Sequence, residues 1–161
     1  MAEDLIIASG SKEEQYLLLT KQIAALVEGE TDTIANLANI AAALKEQFNF
    51  WWVGFYMVKE DQLVLGPFQG PVACTRISYG RGVCGTAWKN KKTLIVDDVD
   101  KFPGHIACSS LSKSEIVIPI IVNDRCIAVL DVDSEKPAQF DQLDAKHLEN
   151  IIKNVQFLDL L

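Results

Sequence analysis

The sequence predicts an α+β domain built on a mainly antiparallel sheet, and three observations carry that reading. Apolar residues recur at helical spacing in two stretches before Phe50. From Phe50 the texture changes to β-branched and aromatic residues broken by Gly, Asn and Asp. After Asp141 the helical spacing returns. The implied architecture has two N-terminal helices and a C-terminal helix packed on the sheet, with one helical crossover between strands. At 161 residues the chain is about the size of one ordinary domain. It shows no repeat, low-complexity segment or linker, so one domain is expected over 1–161, with the sheet and the site within about Phe50–Ser134.

Each element has its own signal. Ser11 to about Glu28 carries Tyr16, Leu19, Ile23 and Leu26–Val27 at helical spacing. Ser11 with Glu14 three places on fits a capping box, and Gly29 ends the helix. Asp32 caps a second helix through Ile34, Leu37, Ala41 and Leu44 to about Phe48. Phe50–Val58 reads as a strand, turning over Lys59–Gln62 into Leu63–Gly70. Gly80–Gly85 is a glycine-rich turn leading into a short helix over about Thr86–Asn90, followed by a strand at Thr93–Val96. Asp97–Ser114 is a long polar loop, and loops of that length inside compact domains are usually functional. Glu115–Val122 and Arg125–Asp133 form a hairpin over Asn123–Asp124. Asp141 caps a closing helix that extends to about Leu158, on which His147 reads as a surface residue.

Composition narrows the function. The net charge of -7, from 15 Lys plus Arg against 22 Asp plus Glu, disfavours nucleic acid, whose binding needs cations to displace counterions. No polybasic segment addresses anionic lipid. The longest charge-free apolar runs fall far short of the roughly 18 residues that span a bilayer. Glu3 and Asp4 stand where a signal peptide needs positive charge. The expectation is a cytoplasmic protein whose partners are small molecules or proteins.

Four cysteines, Cys74, Cys84, Cys108 and Cys126, contain no CxxC pair. A reducing compartment disfavours permanent disulfides. Cys84 lies in Gly80–Arg81–Gly82–Val83–Cys84–Gly85, either an ordinary tight turn or a helix start whose N–H groups favour an anion. Cys108 follows Gly104 and His105 in the long loop, more accessible than a core cysteine. Cys74 stands where the second strand opens into a loop, and Cys126 lies inside an apolar strand, as a core residue does. The spacings match no zinc pattern, so neither a metal site nor a cofactor is expected. Asp131 and Asp133 straddle Val132 on one strand face, Glu115 opens the preceding strand, and Trp52 and Tyr56 share a face of the first strand.

Taken together, Trp52–Val53–Gly54–Phe55–Tyr56, Gly66–Pro67–Phe68–Gln69–Gly70, Ala73–Cys74, Gly80–Gly85, Phe102–Cys108, Ser114–Val117 and Leu130–Ser134 resemble the free methionine-(R)-sulfoxide reductases, which are small GAF-domain enzymes. The resemblance implies a GAF-like fold and reduction of free L-methionine-(R)-sulfoxide to methionine, with thioredoxin as reductant. By position it implies that Cys108 attacks, that Cys74 is the first choice of resolving partner and that Cys84 is a second. It assigns Glu115, Asp131 and Asp133 to the substrate's polar groups, and Trp52 and Tyr56 to walls around its methyl group. Ser109, Ser78–Tyr79 and Cys126 depart from the family pattern without removing a proposed catalytic group.

The chemistry asks for these residue types. A sulfoxide sulfur is a poor electrophile until its oxygen is protonated or hydrogen-bonded, so reduction needs a nucleophilic sulfur and a carboxylic acid that keeps its proton near neutral pH. Three acids in one pocket raise one another's pKa values. Glu115 is the expected proton donor, and the Asp131–Asp133 pair is expected to bind the ammonium group. The same acids disfavour a thiolate at Cys108. The rival reading is a GAF-type module that senses a small molecule or redox state without catalysis. The apolar N-terminal helical pair also suits a homodimer.

Overall fold

The computed structural model describes residues 4–104 and 110–153. Four α-helices surround a six-stranded sheet, every strand pair of which is antiparallel. In chain order the elements are α1 (Lys12–Val27), α2 (Thr33–Phe48), β1 (Trp52–Lys59), β2 (Gln62–Gln69), β3 (Arg76–Ser78), α3 (Gly82–Asn90), β4 (Leu94–Val96), a 3-10 turn (Val99–Lys101), β5 (Ser114–Val122), β6 (Arg125–Ser134) and α4 (Gln142–Lys153). The strands lie side by side as β3-β2-β1-β6-β5-β4. The long hairpins β1–β2 and β5–β6 therefore meet at the β1–β6 seam in the middle.

Local chemistry explains most of the boundaries. The Ser11 side chain accepts from the Glu14 N–H while the Glu14 carboxylate accepts from the Ser11 N–H at 2.9 Å, which is the capping box expected of α1. The Asp32 side chain accepts from the Ala35 N–H at 2.8 Å and starts α2. Asn123 and Asp124, at φ 49° and 60°, form the two-residue turn of the β5–β6 hairpin, whose twist suits positive φ at both positions. Asp141 accepts from the Leu143 and Asp144 N–H groups and caps α4.

The sheet has two differently furnished faces. Val53, Phe55 and Met57 of β1, Ile116, Ile118 and Ile120 of β5, and Ala128, Leu130 and Val132 of β6 pack against α1, α2 and α4 in one apolar core. The alternate residues of the same strands, including Trp52, Tyr56, Val117 and Val129, point to the opposite face, which α3 partly covers. Side chains of a central strand thus reach either a dry core or the α3 side by parity alone.

Three features differ from the sequence reading. The helix after the glycine-rich turn begins at Gly82, earlier than Thr86, so Cys84 sits in its first turn. Arg76–Ser78 forms a short edge strand that no periodicity marked, because three residues are too few to show alternation. His147 is buried, its ring stacked on Tyr16 at 5.0 Å, so it is no surface residue. That pairing belongs to a polar knot between α1 and α4, in which Tyr16 Oη donates to Asp144 at 2.8 Å and Lys12 Nζ pairs with the same carboxylate at 2.7 Å. His105, Cys108 and the expected extension of the closing helix to about Leu158 lie outside the described residues.

Candidate active site

The site is assembled by strand register. Glu115 of β5 stands opposite Asp133 of β6, which in turn stands opposite Trp52 of β1. One step along the face, Val117, Asp131 and Gly54 form the next row. Glu115, Asp131 and Asp133 therefore share the α3 side of the sheet, as their parity requires. Trp52 and Tyr56 lie beside them, rings stacked at 5.9 Å. The helix α3 brings Cys84 over the acids, with its thiol donating to Glu115 Oε1 at 3.7 Å. Seven of the eight residues singled out for chemistry are described, and all seven lie on one side of the sheet, Cys74 packing at the edge of the cluster that holds Trp52, Tyr56 and Cys84.

Glycines make the close approaches possible. A Cβ on Gly54 would lie 2.3 Å from Phe68 Cβ and 2.7 Å from the Trp52 ring, so only glycine lets the indole fold across β1. A Cβ on Gly85 would lie 2.5 Å from the Ser78 carbonyl oxygen, so glycine is what seats α3, and with it Cys84, against the preceding turn. The indole N–H of Trp52 donates to the Pro71 carbonyl at 3.1 Å, and Tyr56 Oη donates to the Cys74 carbonyl at 3.1 Å. The aromatic pair thereby holds the 70–75 loop against the sheet.

Burial dominates the electrostatics. Glu115 and Asp131 are each 6% exposed. Burial pushes the Glu115 carboxyl well above the usual range, and the Asp131 and Asp133 charges add to it. Asp131 is raised for the same reason, with Asp133 as the neighbouring charge. Asp133 is pushed up to about 6 by burial, moderated by a short hydrogen bond that Ser112 Oγ donates to it. Among the described residues no cationic side chain is ion-paired with these three acids. Glu115 and Asp131 are thus the acids that burial disposes to hold protons, with Asp133 the more readily ionised of the three.

The described cysteines fall into two states. Cys74 is disulfide-bonded, whereas Cys84 and Cys126 are free and buried. Cys126 occupies the apolar interior, as its strand context predicts, and burial pushes its thiol up to about 11. Cys84 differs from the expectation that a helix start favours an anion there. Burial, then Asp131 and Glu115, push its thiol well above the ordinary value, outweighing the backbone N–H groups of the α3 first turn.

Comparison with known proteins places the chain in a family. Residues 30–157 match the GAF domain family. GAF domain-containing protein A of Dictyostelium discoideum is 67% identical over 154 residues, a match covering 95% of this chain and 98% of that protein. The free methionine-R-sulfoxide reductase of Escherichia coli K12 is 44% identical over 147 residues, covering 91% and 89%. The X-ray structure of free methionine-R-sulfoxide reductase from Neisseria meningitidis in complex with its substrate has a TM-score of 0.93 at 54% identity, covering 96% and 93%. The chain belongs to the free methionine-(R)-sulfoxide reductase family of GAF domains.

For a free methionine-(R)-sulfoxide reductase family member, two contributors were invisible in the sequence reading. Ser112, 6% exposed, donates to Asp133 from the end of the long loop, yet a lone serine in a polar segment gives no signal. Phe68 stacks on Trp52 at 5.4 Å, and its place was hidden by the bulge that shifts the β1–β2 register between Gly54 and Tyr56.

Proposed function

We propose that this protein reduces free L-methionine-(R)-sulfoxide to methionine by a cysteine sulfenic acid and disulfide cycle, acting as one GAF-like domain over 1–161. The observation that carries the reading is the acid trio of buried Glu115 and Asp131 with half-buried Asp133, whose raised pKa values supply a proton donor at neutral pH. Glu115, the buried acid at the start of β5, protonates or hydrogen-bonds the sulfoxide oxygen. The sulfur of Cys108 takes that oxygen, becoming a sulfenic acid as methionine leaves with both electrons. A second thiol condenses with the sulfenic acid, forming a disulfide and expelling water. Cys74 is assigned that second role. Its disulfide state, with Cys84 and Cys126 left as free buried thiols, supports the choice. The Cys84 thiol, held up by burial and two acids, is poorly suited to attack. A thioredoxin dithiol then returns both cysteines to thiols, and because the cycle needs that reductant we assign the protein to the cytoplasm. Leu17 and Ile34, exposed on α1 and α2, suit a homodimer.

Substrate selection follows from the charges. Asp133, at about 6, is mostly ionised at neutral pH and Asp131 stands beside it. An ammonium group seated between them draws the remaining proton off Asp131, since an opposite charge favours the carboxylate. The substrate carboxylate is assigned to the Gly82–Thr86 backbone at the start of α3, where no side chain caps the helix. Trp52 and Tyr56 wall the methyl group. A peptide-bound methionine sulfoxide has neither terminal charge free and is excluded.

The test is turnover of the separate R and S epimers, free and peptide-embedded, with thioredoxin present. Reduction confined to the free R epimer is expected. Cys108→Ser should abolish turnover, and full activity in that variant ends the mechanism. Cys74→Ser should release about one methionine per chain and then stall, whereas unchanged cycling transfers the resolving role to Cys84.

A further inference from the structure

The acids and the thiol over them offer a second kind of cation a place. Cys84 Sγ and one carboxylate oxygen each from Glu115 and Asp131 all lie within 4.8 Å of one another. A tetrahedral zinc sphere separates its sulfur and oxygen ligands by about 3.4–3.8 Å, so modest side-chain rotation closes the set. A separate observation points to a ligand. Asp131 Oδ1 is fully buried and has no hydrogen-bond partner. A buried carboxylate oxygen without a donor leaves a desolvation cost unmet until a proton donor or a cation reaches it.

We propose that Cys84, Glu115 and Asp131 bind a thiophilic divalent cation of the zinc class, which shuts the pocket to the ammonium end of the substrate. The competition rests on the functional reading above, whereas the metal binding does not. The donor set selects the ion. Magnesium and calcium take oxygen ligands in spheres of six to eight, which two carboxylates and a sulfur do not supply. One sulfur and two oxygens suit zinc or cobalt, with a fourth position left to solvent. The ion displaces the thiol proton and the carboxyl protons, so the groups whose burial disfavours charge become its ligands. Half-buried Asp133 stands next to the set.

Cobalt(II) titrated into the full, reduced chain after removal of the reductant tests the site. About one cobalt per chain is expected, with intense near-ultraviolet sulfur-to-cobalt charge transfer and tetrahedral visible bands. Cys84→Ser should abolish the charge-transfer band and Cys126→Ser should leave it unchanged. Asp131→Asn should weaken binding at least about 10-fold, and it carries the test alone should Cys84→Ser fail to fold. Zinc should bleach the cobalt spectrum and raise KM for free methionine-(R)-sulfoxide while leaving kcat unchanged, with recovery on chelation. Cobalt bound without thiolate charge transfer, a band that survives Cys84→Ser, or affinity unmoved by Asp131→Asn overturns the site. Zinc inhibition that lowers kcat alone overturns the competition. A cobalt spectrum that behaves as expected in a protein without turnover sinks the functional reading and leaves the metal site standing.

Discussion

The two faces of the central sheet are made by the same strands, yet one stores stability and the other spends it. On β6, Leu130 and Val132 are fully buried against the helices, while Asp131 and Asp133 face α3. On β5, Ile116 and Ile118 join the same apolar core, while Glu115 faces the acids. The apolar face gains free energy from every methylene it hides. The α3 face forces carboxyl groups into a dry environment and so holds their protons in place. The contrast teaches that a perturbed acid needs no special element, only the odd parity of a strand whose even parity is anchored in a core.

The largest expected effect that separates the faces is on rate. Glu115→Gln should lower kcat by about 10²- to 10⁴-fold, the range of a lost general acid, while the melting temperature stays level or rises. A loss of substrate affinity alone, with kcat intact, removes Glu115 from proton donation. Next, Leu130→Ala should cost about 2–5 kcal/mol in denaturant unfolding through the cavity left in the core, while the folded fraction keeps kcat within a few-fold.

A smaller effect is the dependence of stability on pH. Asp133 has its folded pKa raised from 3.8 to about 6, so the folded state binds the proton more tightly than the unfolded chain. The stability this contributes is complete below pH 4 and is lost as pH rises through about 6, amounting to roughly 3 kcal/mol. Asp133→Asn should flatten the pH–stability curve in that window, measured by urea midpoints across pH 4–7. A slope identical to that of the parent chain refutes the assignment. The smallest effect belongs to Ser112→Ala. Removing the hydrogen bond to Asp133 takes away the contact that lowers its pKa, so that value should climb above about 6 in a carboxyl carbon NMR titration.

The comparison also explains what was legible in the sequence. The parity of Asp131 and Asp133 around Val132, the opening position of Glu115 and the pairing of Trp52 with Tyr56 all follow from a period of two, and the structure keeps them on one face. Caps at Ser11 and Asp32 were equally readable, because the side chain that makes each bond lies within three residues of its partner. Long-range neighbours were not. Ser112 reaches Asp133 across 21 residues, and His147 meets Tyr16 through helix packing that no local pattern encodes. The burial of Cys84 was hidden for a related reason. Gly85 docks α3 on the Ser78 carbonyl, which turns an apparent surface turn into a lid over acids.

The irregularity of the β5–β6 hairpin sits at its turn. Pairing is regular from Ser114↔Ser134 through Ile120↔Ala128 and slips only between Ile120 and Ile121. A residue inserted near Asn123–Asp124 can be absorbed there as a wider bulge, out of reach of the acids. The same insertion between Leu130 and Asp133 would rotate carboxyl groups into the oily layer beneath the helices. Length variation in descendants of this chain should therefore accumulate at the tip of that hairpin and be purged from its base.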